Sequence, residues 1–261
     1  MGRRLIYIRP AATGYLPLTT AWIAATLETD TTILNALNTF EAGLIANSLT
    51  GKFNALYPFV GGTSGKHTFN FMNTAQFQLS FVGSWTHSSG GATPFGTNSH
   101  ADTTLVPSTT LSLNNTHLSV YTRTNTNVGV DIGVGQSVPT RNNFVATRSG
   151  GLAYATINQI NNSSVATADS LGYFVGSRTG ATTVGLYKNG SSILAATEVS
   201  TILPSVSIYL GARRFNATVD SRAARQLAFA TIGSGLTAGE ISTLYTLIQA
   251  FQTSLSPSRN V

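Results

Sequence analysis

The chain contains no cysteine, which excludes disulfide staples, thiol catalysis and cysteine-based metal sites. It is also short of charge. Asp, Glu, Lys and Arg make up 9% of its 261 residues, against about 25% in an ordinary soluble domain. The nine acidic residues leave few ways to build the paired carboxylates of a glycoside hydrolase. Only Glu28-Thr-Asp30 has alternate acidic spacing, and it precedes the first helical pattern. No apolar run approaches the ~18 residues of a membrane-spanning helix, so no membrane partner is expected. The start of the chain reads as lacking a secretory leader, because the run Leu5-Ile-Tyr-Ile8 stops at Arg9-Pro10.

The net charge of +6 comes from a scarcity of acids more than from an abundance of bases. The 15 Lys and Arg are dispersed, with adjacent pairs only at Arg3-Arg4 and Arg213-Arg214. A nucleic-acid reader would concentrate its bases on one face, so no nucleic-acid partner is expected. The four histidines, at 67, 87, 100 and 117, have no metal-ligand spacing. The weak calcium candidate is Asp102 with Asn98, and otherwise no metal is expected. Gly61-Gly-Thr-Ser-Gly-Lys66 resembles a phosphate loop but departs from its pattern, since His67 stands where Ser or Thr would hold magnesium. No motif implies a cofactor or a catalytic residue.

What is present is β texture. Hydrophobic residues reach 42%, enough for one large core, and Thr, Ser, Asn and Gly fill the polar positions. Residues 1–29 read as an extended arm for anchoring and assembly, with Arg3, Arg4, Tyr7, Arg9 and Trp22 as its contact residues. Residues 30–60 read as a helical segment: Asp30 or Thr31 caps a helix carrying Leu34, Leu37, Phe40 and Leu44, and a short turn carries Phe53, Leu56 and Tyr57. From 61 to 261 short Val-, Ile-, Thr- and aromatic-rich runs alternate with Gly, Asn, Ser and Pro. No helical pattern separates them, which predicts antiparallel sheets in a sandwich. Asn189-Gly190 between two apolar runs predicts a two-residue type I′ hairpin. Thr237 and Glu240 form a capping box ahead of a closing helix striped with Ile241, Leu244, Ile248 and Phe251.

Three stretches follow in order: "VGLYKNGSSI", "SVSIYLGARR" and "RQLAFATIGSGLTAGEISTLYTLI". Their succession resembles the closing half of laminin-G-like and concanavalin A-like lectin and glucanase domains. Further stretches, among them "KFNALYPFVGGTSGKHTFNF" and "GSWTHSSGGATPFGTNSHADT", are similar to virion or tail proteins of tailed bacteriophages and prophages of Bacteroidota-type hosts. The resemblance runs from about Thr32 to Leu255. It implies an all-β, concanavalin A-like antiparallel jelly-roll sandwich with an N-terminal helix and a C-terminal capped helix. It further implies a non-enzymatic virion structural protein on tail or capsid, with other virion proteins and its own copies as partners. Host-surface polysaccharide is the ligand such a sandwich would bind. A dedicated receptor-binding lectin and a glycan depolymerase are the alternatives.

A long glycine-rich loop is expected from Trp85 to about Thr104, opened by Trp85-Thr-His87. A flat aromatic face beside hydrogen-bonding groups suits a sugar, so Trp85 and His87 are the first glycan-binding candidates. The plainer reading of Trp85 is a packing residue at the rim of the core. Arg123 and Arg178, each ending an apolar alternation, are candidate donors on a shared sheet face. The plainer reading of each is a solvated strand end.

Overall fold

The structure, a computed structural model, describes residues 14–256 and 259–261. Arg3, Arg4, Tyr7 and Arg9 lie outside the described residues. The helices are α1 (Pro17–Thr26), α2 (Thr31–Ala46), α3 (Ser64–His67), α4 (Pro107–Thr110) and α5 (Ala238–Leu255). The strands of the first half are β1 (Phe53–Tyr57), β2 (Ser80–Ser88), β3 (Gly91–Asp102), β4 (Thr116–Thr122), β5 (Ile132–Ser137), β6 (Thr140–Ser149) and β7 (Leu152–Gln159). Those of the second half are β8 (Ser164–Ala166), β9 (Gly172–Arg178), β10 (Thr183–Lys188), β11 (Ser191–Thr197), β12 (Tyr209–Leu210), β13 (Arg213–Phe215), β14 (Thr218–Asp220) and β15 (Leu227–Gly233).

The strands form one continuous antiparallel path, β11-β10-β9-β4-β15-β3-β12-β5-β6-β7-β8; β13 adds a parallel pairing to β5, and an isolated parallel bridge joins Val130 and Arg222. The path folds over on itself, so that β9 and β4 pack face to face with β7 and β6. The long strand β3 makes the crossing: its start pairs with β15 at Leu227↔Ala92 and its end with β12 at Tyr209↔Asp102. The product is the expected all-β jelly-roll sandwich. Its interior is filled by Leu118, Val120, Ile132, Val145, Ile157, Phe174 and Leu186.

A third layer lies outside the sandwich. Every residue of β4, β9 and β15 is buried, because the second face of these strands is covered by helices. In β9 Phe174 points into the sandwich, while Tyr173 and Val175 point at the helices. Phe40 of α2, Phe229 of β15 and Phe251 of α5 pack with ring centroids 5.4–5.9 Å apart. The closing helix has its capping box as expected: Thr237 Oγ1 accepts from the Glu240 amide, and Glu240 Oε2 accepts from the Thr237 amide at 2.8 Å. Asn189 and Gly190 have φ of 50° and 79°, the two positive values that a type I′ turn requires.

Four expectations need correction. Residues 14–29 are not an extended arm: Pro17 sits in the first turn of α1, where its missing N–H costs nothing. Trp22 is fully buried among Ile23, Leu37 and Phe40, inside its own chain, so it is not an assembly contact. The segment 30–60 is not wholly helical, since Phe53–Tyr57 is a strand paired with β15. The stretch from Trp85 to Thr104 is mostly not a loop. It is the β2–β3 hairpin, whose glycine-rich composition hides its period-two alternation.

Candidate functional site

A cleft of about 490 Å³ opens where the helical layer meets one end of the sandwich. Five pieces of chain build it: the α1–α2 connection, the turn between β1 and α3, the β2–β3 hairpin tip, the end of β4, and the segment after α5. The two motifs set aside on sequence grounds, Glu28-Thr-Asp30 and Gly61–Lys66, come together here.

Glu28 is almost wholly buried. Its Oε1 accepts from the amides of Thr29 and Asp30, at 2.9 and 3.1 Å. Its Oε2 lies 2.8 Å from the Lys66 ammonium. Burial pushes the carboxyl up, but Lys66 and the two amides outweigh that and hold it below its ordinary value. The ion pair passes over Gly61, where φ is +84° and a Cβ would stand 2.4 Å from Lys66 Cδ. Only glycine fits there. Asp30 Oδ1 accepts from the Thr32 amide at 2.8 Å and caps α2, as its sequence position implied.

The opposite wall carries two arginines. Arg123 Nη1 donates to the Gly90 carbonyl and to Gln226 Oε1, both at 3.2 Å. A Cβ at Gly90 would come within 2.6 Å of that nitrogen, so glycine lets the guanidinium reach the hairpin tip. Arg259 is 5% exposed. Its Nε donates to Gln252 Oε1 at 2.6 Å and its Nη1 donates to the Ser89 carbonyl. Its Nη2 is buried and makes no hydrogen bond. Burial, reinforced by the positive charge of Arg123, lowers the Arg259 pKa to about 10, which leaves it charged at neutral pH.

Arg123 is therefore the one predicted residue that lines the cleft. Trp85 is half-buried against Phe81, with ring centroids 5.0 Å apart. Its indole N–H is directed at the carbonyls of Val82 and His100, 3.1 and 3.3 Å away. Trp85 packs at the rim of the core and does not line the cleft. His87 lies behind the cleft, its Nδ1 2.9 Å from Nδ1 of the buried His67. One of these nitrogens donates and the other accepts, so the contact requires at least one neutral ring. Burial, together with the charges of His87 and Arg259, lowers His67 to about 3.

Arg178 is not a surface donor. It is fully buried and donates to the carbonyls of Ile157, Gly180, Ala181 and Glu198 and to Gln159 Oε1, at 2.7–3.2 Å. It ties the end of β9 to β7 and does not share a face with Arg123. The calcium candidate also fails to assemble. Asp102 Oδ1 accepts from the Thr104 amide at 2.7 Å, and its Oδ2 is 3.9 Å from Arg214. Among the described residues no group of three His or acidic side chains is placed to hold a metal.

Sequence reasoning missed Arg259, Lys66 and Glu28 as members of one site. Arg259 follows Pro257-Ser258 with no local pattern to mark it, and only the third dimension brings it to the hairpin tip.

Neither a protein-family model nor a curated protein matches the chain. Solved structures do. Domain 4 of AbnA, an extracellular GH43 arabinanase from Geobacillus stearothermophilus solved in complex with arabinotriose, is similar at 14% identity and a TM-score of 0.52. The match covers 74% of this chain and 98% of that domain. Trypanosoma rangeli sialidase in complex with sialic acid is similar at 10% identity and a TM-score of 0.52, over 73% of this chain and 32% of that one. A mutant of that sialidase displaying trans-sialidase activity gives 8% identity and 0.54, over 83% of this chain and 38% of that one. At these identities the structural likeness shows the β-sandwich fold alone.

Proposed function

We propose that the chain is a non-enzymatic, lectin-like protein of a tailed-phage virion, and that it binds a host-surface glycan in the cleft beside the β2–β3 hairpin tip. The cleft carries the reading. It is a concave site in which fixed donors and acceptors converge on a volume suited to a short oligosaccharide. The arabinanase domain of the same fold, crystallised with arabinotriose, supports it by analogy. The virion setting rests on the resemblance of the sequence stretches and on the charge-poor surface. Other virion proteins and further copies of the chain are the partners that setting implies.

The non-enzymatic part has a chemical argument. Glycoside hydrolysis needs one carboxyl kept protonated as general acid beside a second, ionised one. Glu28 is held ionised by Lys66 and two amides, and Asp30 is engaged in capping α2. Glu28 is therefore not the carboxyl that would give a proton. A glycan array probed with the full chain tests the proposal, followed by recovery of the bound oligosaccharides. Saturable hits recovered uncut are expected. An array without hits overturns the binding role, and fresh reducing ends overturn the non-enzymatic one.

A further inference from the structure

We infer that the cleft selects an acidic sugar, one bearing a carboxylate or sulfate, and that Arg259 Nη2 is the group that receives the anion. The inference rests on the glycan-binding reading and adds the ligand class. Three observations carry it.

The first is an unused donor. Arg259 lines the cleft and is more than nine-tenths buried, and its Nη2 makes no hydrogen bond. Its other two nitrogens are held by Gln252 and Ser89, which fixes the direction in which the third points. A buried charged donor left unsatisfied is costly, and an anion arriving in the cleft removes that cost.

The second is the company it keeps. Among the described residues no carboxylate lies within ion-pair distance of Arg259, while the Arg123 side chain is near enough to lower its pKa. The third is the opposite wall. Glu28 is neutralised by Lys66, but Asp30 keeps its carboxylate at the mouth of the cleft, beside the exposed Thr32 hydroxyl. The site is therefore cationic at the back and rich in acceptors at the front. A sugar with an acid group at one end and hydroxyl donors at the other matches both walls. A uniform polyanion such as nucleic acid matches only the back.

The test is calorimetric titration of the full chain with four probes: an oligogalacturonate, a sulfated dextran oligosaccharide, a neutral dextran oligosaccharide of equal length, and a single-stranded DNA oligomer. At least one acidic sugar is expected to bind about tenfold or more tighter than the neutral one. Whichever acidic arm wins identifies carboxylate or sulfate. Arg259→Gln is expected to remove about tenfold or more of that affinity and to bring the ratio of acidic- to neutral-sugar affinity toward one. Thr32→Glu is the second variant. It adds a charge in the mouth from an exposed position in the first turn of α2, where an acidic residue favours the helix, so its fold is secure. It is expected to weaken the acidic sugar more than the neutral one. Equal affinities for acidic and neutral sugars overturn the inference and leave the glycan-binding reading standing. An acidic preference that survives both substitutions, or DNA binding as tight as the sugars, also overturns it.

Discussion

Arg178 and Arg259 are both buried arginines at element ends, yet they lie in opposite kinds of surroundings. Arg178 meets five oxygen acceptors and has nothing left to offer a ligand. Arg259 lines the cleft and has one nitrogen with no partner. The same contrast holds between regions. Around Asp131 and Arg225 the sandwich buries an ion pair that meets its charge inside the chain: both side chains are fully buried, 2.9 Å apart, Asp131 Oδ2 also accepts from the Thr147 amide at 2.7 Å, and of the guanidinium nitrogens Nε has no hydrogen bond. Around the cleft, bonding capacity is left over. The scaffold arginine faces a carboxylate inside the chain, and among the described residues the cleft arginine does not.

The comparison can be broken from its closed side first. Asp131→Ala strands the buried Arg225 charge, and we expect a loss of about 3–5 kcal/mol in urea-unfolding stability. A loss below about 1 kcal/mol would mean that this pair is not part of the closed scaffold. Arg178→Met orphans several buried carbonyls and should cost about 3 kcal/mol by the same measurement, with whatever sugar affinity survives unchanged per folded molecule. A selective loss of sugar binding would return Arg178 to the ligand site.

Acid probes both regions together. His117 is buried between the Ser234 carbonyl and Thr231 Oγ1, and burial lowers it to about 4 from an ordinary 6.5. His67, behind the cleft, lies at about 3. Both folded values are depressed, so below pH 6.5 the unfolded chain binds protons that the folded chain refuses. Stability is full above that pH. It should fall as the pH drops toward 4, by at most roughly 1.4 kcal/mol per pH unit for each ring. A flat melting temperature between pH 7 and 5 would contradict the burial of these rings. Arg259→Gln sits at the small end for stability. It removes a charge whose burial is already costly, so a change of about 1 kcal/mol or less is expected, with the loss appearing in acidic-sugar affinity instead.

The closed region was the more legible in the sequence. Strands β7 and β10, the Asn189-Gly190 turn and the Thr237–Glu240 capping box follow from local patterns that tertiary packing does not override. Strand β6 has a weak sequence signature because it carries Asn142 and Asn143 into buried positions, which a hydrophobic pattern cannot reveal. The β2–β3 hairpin has the sequence look of a loop because Gly83 and a bulge interrupt its alternation between Val82 and Ser84. Of the site, Arg123 was legible and Arg259 was not. A cleft assembled from five separated segments has no sequence period to betray it, and Arg178 looked like a strand-end donor because burial of a charge depends on partners 20 residues away.

The most direct test of the open-site account is a crystal structure of the chain with the acidic oligosaccharide that binds it most tightly. The account predicts the sugar in the cleft, with an oxygen of its carboxylate or sulfate about 3 Å from Arg259 Nη2. A sugar seated elsewhere, beside Trp85 for instance, with Arg259 Nη2 still unpartnered, would contradict it.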